Sequence, residues 1–376
     1  MSSKAELEAF KNNICKLTGG AKAVLFNSGM NAIIQTILTL ARAGDEVVVG
    51  SNVRATAYNF FKFLLKDIGI TANFVFSSDP LEFEAAVSPA TRCIFIDLEG
   101  SMRPEAVDIK KIAEVAHRAK LPLVVDNGGI PMSCINPFNF GADIAILDFS
   151  FLFADPSYSG GMVIERGKID WRIFNVPLLK AGDSCCHGIR WAFDMSAEDS
   201  AIAFSWRLET VMKSIFDSNI EKNFASIITV NIDEAIKNYK TRFENAAKIA
   251  EFLNSSDKIG WVEFPALKSS SSYEFFRDQK YCGAYISFAI RSDKDDYDAK
   301  AKTLCDSLDI EKCHKKTYSN KTLINYYQGF GHASYKDEYY SNPDMSEDLF
   351  GMFRIFPGIE DPDLIIKKLS DALDRI

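Results

Sequence analysis

The sequence has no uninterrupted apolar stretch of the roughly 20 residues that a membrane-spanning helix needs. It also has no excess of basic residues, since 43 lysines and arginines stand against 51 acidic residues and give a net charge of −8. A general nucleic-acid binder usually presents a basic face, so this charge disfavours that class of protein. We therefore expect a soluble protein whose partners include neither a membrane nor a nucleic acid.

The eight cysteines are scattered over 376 residues, and the first residues show neither an apolar secretory core nor an arginine-rich transit pattern. We therefore expect a reduced, cytoplasmic protein. Cys185 and Cys186 are adjacent and precede His187, but this spacing is not that of a structural zinc site, and the next such group, Cys313 with His314, is distant. We expect no metal centre, and we expect no thiol nucleophile either, because the sequence does not demonstrate a base partner for one.

With 47% hydrophobic and 12% aromatic residues, a chain of this length can bury a large core and is expected to divide into two domains. In its first part, short β-branched or aromatic runs alternate with longer helical patterns. The runs lie at residues 23–27, 46–49, 73–76, 93–97, 121–126, 144–148 and 161–164. This alternation predicts an α/β fold with a mostly parallel, seven-stranded sheet covered by helices, in which ligands bind at the carboxyl ends of the strands.

After Trp171 the pattern becomes helical, and a long helix over about residues 233–253 carries apolar residues at helical spacing. We place the domain boundary there, with a large domain at residues 1–232 and a small α+β domain at residues 233–376. In the small domain the pattern predicts strands at 261–264, 284–290 and 352–356, a polar loop at 269–272, and helices at 300–308 and from 362 onward.

Residues 27–30, Asn-Ser-Gly-Met, follow a predicted strand and open an apolar helix. Backbone N–H groups at a helix start attract a phosphate, and Gly29 lets an anion approach closely. The same pattern also suits an ordinary strand-to-helix turn in which Asn27 or Ser28 caps the helix. From spacing alone, both interpretations stay open.

Two charged residues lie at positions where a ligand could be bound. Asp126 ends an apolar strand, so its carboxylate lies at the carboxyl edge of the sheet, although a strand-end aspartate is also a common cap or turn residue. Arg354 lies in a predicted strand, and its guanidinium fork matches the two oxygens of an amino-acid carboxylate. The alternative for Arg354 is an exposed strand arginine without a ligand.

Four segments of the chain form a characteristic combination. They are residues 23–30 (AVLFNSGM), 123–127 (LVVDN), 160–164 (GGMVI) with 167–171 (GKIDW), and 352–361 (MFRIFPGIED). In their order and spacing they resemble the Cys/Met-metabolism family of pyridoxal-phosphate enzymes, and within it the O-acetylhomoserine sulfhydrylases. The resemblance covers nearly the whole chain and implies the aspartate-aminotransferase-type fold, with a large domain and a smaller C-terminal domain.

The same resemblance implies pyridoxal phosphate as cofactor. Gly29 and Met30 would then cradle its phosphate, Asp126 would face its pyridine nitrogen and keep it protonated, and Arg354 would bind the substrate's α-carboxylate. The full set of implied cofactor-binding residues is Ser28, Gly29, Met30, Asp126 and Ser150.

The sequence departs from the family pattern at several of these positions. Phe151 stands where the resemblance leads us to expect the lysine that forms the Schiff base, so no catalytic residue is assigned there. Asp148 stands in place of a phosphate-binding serine, and Ser150 in place of a threonine. Arg54 replaces the tyrosine that stacks on the cofactor ring, and Arg103 replaces an asparagine that touches the ring hydroxyl.

Arg54, Arg103 and Asp148 therefore form a candidate substrate-binding group together with Arg354. The two arginines could bind a carboxylate or a phosphate, or they could pair with Asp148 or Asp126, and the sequence supports both equally. Lys180 is a weak candidate for a substitute amine, since such an amine must reach the aldehyde carbon of a ring that is already held at two points.

The leading hypothesis is a degenerate sulfhydrylase-like protein that has lost lysine-dependent chemistry. It would bind a small anionic metabolite or amino acid, or act as the partner of a catalytic homologue, and the resemblance implies a homo-oligomer, either a dimer or a tetramer. The alternative is an active pyridoxal-phosphate transferase or lyase that uses a substitute base. A third hypothesis is an enzyme without the cofactor, in which Arg54, Arg103, Asp126 and Asp148 carry acid–base chemistry.

Overall fold

The computed structural model describes residues 3–100, 108–221, 224–270, 272–277, 279, 281–312, 319–328 and 351–376. They form two compact units, of which the first ends at Ile236 and the second runs from Lys237 to Ile376. The sequence places the boundary at residue 232, inside the same long helix, Phe224–Ser255.

A seven-stranded sheet forms the centre of the first unit. Its strands are β1 (Lys22–Phe26), β2 (Glu46–Gly50), β3 (Thr71–Val75), β4 (Thr91–Asp97), β5 (Leu123–Asp126), β6 (Ile144–Asp148) and β7 (Gly161–Glu165). They lie in the order β1-β7-β6-β5-β4-β2-β3, and only β7 is antiparallel to its neighbours. The predicted mostly parallel, seven-stranded sheet is confirmed.

The central strands are apolar because helices cover both faces of a parallel sheet. Every residue of β5 and of β6 is buried, whereas most of the edge strand β3 is partly exposed. The carboxyl ends of β4, β5 and β6 carry acidic residues, and this edge of the sheet holds the candidate site.

The helices of the first unit range from single turns to several turns. They are α1 (Ser3–Thr18), α2 (Gly29–Leu40), α3 (Ala55–Asn59), α4 (Leu65–Asp67), α5 (Pro80–Ala85), α6 (Ile109–Arg118), α7 (Phe149–Leu152), α8 (Pro177–Lys180), α9 (Ala197–Ser200), α10 (Ala203–Arg207) and α11 (Lys213–Ile215). Phe60–Leu64 and Leu208–Met212 are π-helical, and Pro137–Phe140 and Ser184–Cys186 are 3₁₀-helical. The long helix Phe224–Ser255 is α12.

The second unit is an α+β unit built on a five-stranded sheet. Its strands are β8 (Ile259–Glu263), β9 (Ile286–Ile290), β10 (Glu311–Lys312), β11 (Leu323–Gln328) and β12 (Gly351–Phe356), and its further helices are α13 (Tyr273–Phe276), α14 (Lys294–Ser307) and α15 (Pro362–Leu373). The strand order is β10-β11-β12-β9-β8, and β10 and β11 form the parallel pair. In the part of the chain that the structure describes, no helix is long and apolar enough to cross a membrane.

Candidate active site

Three aspartates lie side by side where adjacent strands end. Asp97 ends β4, Asp126 ends β5 and Asp148 ends β6, and the first two are register partners across the strands. All three are buried, and Asp126 is 0% exposed. Since parallel strands end at one edge of a sheet, three short acidic side chains are concentrated in a small volume.

Arg54, which directly precedes α3, lies among these carboxylates. Its Nη2 donates to Asp126 Oδ2, its Nε donates to Asp97 Oδ2 at 3.3 Å, and its Nη1 lies 3.7 Å from Asp148 Oδ2. The backbone N–H of Arg54 also donates to Asp97 Oδ2, at 3.2 Å. The guanidinium thus connects the ends of all three strands, and its side chain is 13% exposed.

The electrostatics follow from this crowding. Burial alone would lower the pKa of Arg54, but the charges of Asp126 and Asp97 outweigh it and raise that pKa, so Arg54 stays protonated. Burial, followed by repulsion from Asp126, raises the pKa of Asp97 to about 6. Burial also raises the pKa of Asp148, although Arg54 opposes the shift. Within this cluster, Asp97 therefore takes up a proton as the solution becomes mildly acidic.

The Asp148 carboxylate has a second set of neighbours, at the starts of two helices. Its Oδ1 accepts hydrogen bonds from the backbone N–H of Ser150 at 3.0 Å and from Ser150 Oγ at 2.6 Å. Asp148 is therefore the N-cap residue of α7. Its Oδ2 lies against the Cα of Gly29, at the first residue of α2, so closely that a Cβ on Gly29 would collide with it. Ser28 caps α2 by accepting a hydrogen bond from the N–H of Asn31 at 3.1 Å.

Phe151 lies in α7, and its ring lies under Arg54, with 4.6 Å between the guanidinium carbon and the ring centroid. This distance suits a cation–π contact. The backbone of Phe151 packs on Gly129, since a Cβ on that glycine would lie 2.7 Å from the Phe151 carbonyl carbon. The aromatic side chain is therefore part of the packed cluster around Arg54.

Two acids of this cluster, Asp97 and Glu99, are not among the predicted site residues. Glu99 is buried and accepts a hydrogen bond from the N–H of Gly129 at 2.7 Å, and Asp97 Oδ1 accepts one from the N–H of Glu99 at 3.0 Å. The signal for Asp97 was present in the sequence, because Asp97 ends a strand in the same way as Asp126.

The other predicted site residues are Arg103, Arg354 and Lys180. Arg103 lies outside the described residues. Arg354 is buried in β12 of the second unit, with its guanidinium carbon 4.8 Å from the centroid of the Tyr285 ring, so the alternative of an exposed strand arginine is wrong. Lys180 ends α8, is half-buried and makes no ion pair with the described residues of the Arg54 cluster.

His187 follows the 3₁₀ helix Ser184–Cys186, and among the described residues no group of three or more histidine, cysteine or acidic side chains is arranged to hold a metal ion.

The family model for Cys/Met metabolism PLP-dependent enzymes matches residues 3–163 and 238–374. The chain belongs to this family. An O-acetyl-L-homoserine sulfhydrylase of Corynebacterium glutamicum is 32% identical over 299 residues, which are 77% of this chain and 67% of the relative. A homocysteine synthase of Schizosaccharomyces pombe is 28% identical over 378 residues, which are 98% of this chain and 84% of the relative.

Solved structures of similar proteins agree with the fold. An O-acetylhomoserine sulfhydrylase of Wolinella succinogenes aligns with a TM-score of 0.77 at 23% identity and covers 99% of this chain and 97% of its own. A Campylobacter jejuni protein assigned as an O-acetylhomoserine (thiol)-lyase aligns with a TM-score of 0.81 at 21% identity, covering 98% of this chain and 86% of its own, and holds an N′-pyridoxyl-lysine-5′-monophosphate. At these identities the likeness shows the fold.

The cofactor of this family is pyridoxal phosphate, and the described residues do not fit it in their present arrangement. A phosphate at the start of α2 would need the open face of Gly29, which the Asp148 carboxylate covers. A pyridinium ring facing Asp126 would need a carboxylate that is accessible, whereas Asp126 is fully buried and bonded to Arg54. The roles assigned from the resemblance to Ser28, Gly29, Met30, Asp126 and Ser150 therefore stay predictions.

Proposed function

We propose that this protein is a member of the Cys/Met-metabolism family that does not carry out lysine-dependent pyridoxal-phosphate chemistry. The observation that carries the proposal is the place of Phe151, directly after the β6 strand end and under the Arg54 guanidinium. By resemblance this is the position of the Schiff-base lysine. An aromatic ring has no amine to form an imine or to move a proton, so the usual reaction has no starting bond at this position.

The charges around Arg54 bear on what the protein does instead. Among the described residues, the single guanidinium of Arg54 faces the carboxylates of Asp97, Asp126 and Asp148, and Glu99 lies close enough to act on it electrostatically. Among these described groups negative charge is in excess, which disfavours an anionic metabolite beside them. We therefore favour the role of partner to a catalytic homologue, within an oligomer, over the role of an anion-binding protein.

The alternative is an active transferase or lyase of sulfur amino-acid metabolism with a substitute base. Its support is the 32% identity to the Corynebacterium glutamicum sulfhydrylase, together with the retained Gly29, Met30 and Asp126. It requires Arg54 to leave Asp126, and it requires another amine, such as Lys180, to reach the ring.

Covalent trapping separates the two candidates. The purified protein is mixed with pyridoxal phosphate, its absorption is followed for an aldimine band, and the mixture is reduced with borohydride and mapped by peptide mass spectrometry. We expect no stoichiometric band and no single labelled lysine. The proposal would be contradicted, and the alternative favoured, if one lysine were labelled at one equivalent per chain and the label were lost when that lysine is replaced by alanine. Lys180→Ala is the first variant to compare.

A further inference from the structure

The start of α2 is built to receive an anion. The helix has 12 residues, begins at Gly29 after an extended Ser28, and carries no acidic residue in its first turn. The N–H groups of a first helical turn have no partner within the helix, and the helix dipole adds positive potential there. A glycine at this position removes the side chain that would keep an anion away.

The anion at this place is the chain's own. The carboxylate of Asp148 rests on Gly29 with one oxygen, while Ser150 donates two hydrogen bonds to the other oxygen. This carboxylate is a second observation, independent of the helix start: a charged group that is almost fully buried covers the face of Gly29, where a ligand would have to lie.

The cation beside it is also the chain's own. Arg54 lies between Asp148 and Asp126, with one terminal nitrogen toward each carboxylate and the Phe151 ring against its face. A planar, delocalised cation between a helix-start anion and a buried carboxylate is chemically analogous to a protonated aromatic ring that carries a phosphate. The space from Gly29 to Asp126 is therefore filled by an internal ion pair.

We propose that Asp148 and Arg54 are built-in occupants of a latent site for a cationic aromatic phosphate monoester, with Asp148 in place of the phosphate and Arg54 in place of the ring. The inference rests on the proposed function. It adds that these two side chains, and not only the missing amine, keep such a ligand out of the site. Shortening Asp148 and replacing Arg54 by a flat neutral side chain opens the site.

Pyridoxamine 5′-phosphate is the probe, because it carries the ring and the phosphate but an amine in place of the aldehyde, so its binding needs no lysine. Binding is measured by titration calorimetry to the wild type, Asp148→Ser, Arg54→Tyr and the double variant Arg54→Tyr/Asp148→Ser. Serine leaves a hydroxyl that can donate to a phosphate, and tyrosine offers a ring for stacking.

The matched control is the double variant Arg92→Tyr/Asp45→Ser. It removes another partly buried pair of the same unit, since the Arg92 and Asp45 side chains are 11% and 8% exposed and their closest atoms lie 2.8 Å apart. It makes the same two substitutions away from the cradle. Thermal unfolding of every variant checks that it is folded.

We expect the double variant to bind pyridoxamine 5′-phosphate at least about tenfold more tightly than the wild type and the control, with Asp148→Ser intermediate. A folded double variant with no gain in affinity overturns the inference, and so does a wild type that already binds as tightly. If the double variant does not fold, the affinity of Asp148→Ser relative to the wild type decides in the same way. Failure here leaves the proposed function standing, because that function is tested separately by covalent trapping of a lysine.

Discussion

A buried ion pair is costly to desolvate, and it is stable only when each charge keeps its partners. Arg54 is the partner shared by Asp97, Asp126 and Asp148, so the three strand ends depend on a single guanidinium among the described residues. Removing it leaves buried carboxylates without compensation, which costs more than the pair itself contributes. This asymmetry makes Arg54 a test of the cluster at the scale of one residue.

Arg54→Met keeps an unbranched side chain on the Phe151 ring but removes the charge. We expect the free energy of unfolding to fall by about 3–5 kcal/mol at neutral pH, as measured by urea denaturation. The control is Arg190→Ala, which breaks the exposed pair of Arg190 with Asp194 and is expected to change stability very little. Equal effects of the two substitutions would contradict the arrangement of charges described above.

The raised pKa of Asp97 predicts how the stability of the protein depends on pH. Its pKa is raised from 3.8 to about 6 in the folded protein, with burial as the main cause, so the folded state holds this proton more tightly than the unfolded state. Stability associated with the proton is present below about pH 4 and is lost as the pH rises through about 6. Asp97→Asn cannot ionise, so we expect it to gain stability relative to the wild type over this range, by on the order of 1–3 kcal/mol.

The measurement is urea denaturation of both proteins between pH 4 and pH 7. Asp183→Asn is the comparison, because burial would raise the pKa of Asp183 but hydrogen bonds from Trp191 and Cys185 and the charge of Arg207 outweigh burial and lower that pKa. The stability due to Asp183 is lost only below about pH 4, so the difference between Asp183→Asn and wild type should stay constant over this range. A difference between Asp97→Asn and wild type that does not change with pH would refute the assignment.

At the scale of helices and strands, the contact of α2 with the end of β6 is a close fit. A methyl group on Gly29 would collide with the Asp148 carboxylate, whereas one on Gly50 in β2 would lie at an ordinary 3.5 Å from the Ile96 and Phe83 side chains. The contact is this close because the Asp148 carboxylate lies over Gly29, the first residue of α2.

Gly29→Ala is therefore expected to destabilise the protein by about 1–3 kcal/mol through overpacking, and Gly50→Ala by clearly less. Adding Asp148→Ser removes the carboxylate oxygen that lies closest but keeps the Cβ of residue 148 at 2.8 Å from the added methyl group. It should therefore relieve part of the collision, so that the double variant is more stable than the sum of the two single effects. Thermal unfolding of the four proteins in the cycle, with Gly50→Ala beside them, measures the coupling. Strictly additive effects would show that the two residues do not meet.

The sequence predicted all seven strands of the first unit and β8, β9 and β12 of the second, because these strands are largely buried and their apolar runs are visible without knowledge of long-range contacts. It did not predict β10 (Glu311–Lys312) or β11 (Leu323–Gln328). Helix starts were less predictable. The pattern placed a helix at 300–308, but α14 begins at Lys294, where Asp295 and Asp296 in the first turn favour a helix start. A pattern of apolar residues does not reveal a helix start that is marked by polar residues.

The position of the site could be predicted from the sequence, but the ion pairs of Arg54 within it could not. Strand ends and a glycine-opened helix placed Gly29, Asp126 and Asp148 at one edge of the sheet, and the topology brings them there. Whether Arg54 would meet a ligand or these carboxylates was open, because both choices satisfy a guanidinium equally. Only the approach of Arg54 to Asp126, which are 72 residues apart in the chain, distinguishes them.

For the whole molecule, membership of the family establishes the fold and leaves the chemistry to the site. A ligand that binds only the folded state raises stability by an amount set by its concentration and its dissociation constant. The response of global unfolding to pyridoxal phosphate therefore reports whether the protein as a whole has kept the family's ligand, without any assay of activity.

We expect unfolding of this protein to be unchanged by pyridoxal phosphate at concentrations that stabilise a family member that binds it. The Campylobacter jejuni protein that holds an N′-pyridoxyl-lysine-5′-monophosphate is the comparison, and a ligand at 100 times its dissociation constant should stabilise it by about 2.7 kcal/mol. Both proteins are unfolded by heat with and without the cofactor, and inorganic phosphate is the control for effects of the phosphate group alone. The internal pair of Arg54 with Asp126 and Asp148 predicts this insensitivity, since a ligand must break it before it can bind. A rise in the unfolding temperature of this chain comparable to that of the relative, and absent with inorganic phosphate, would show that the site opens at little cost and would favour the active enzyme.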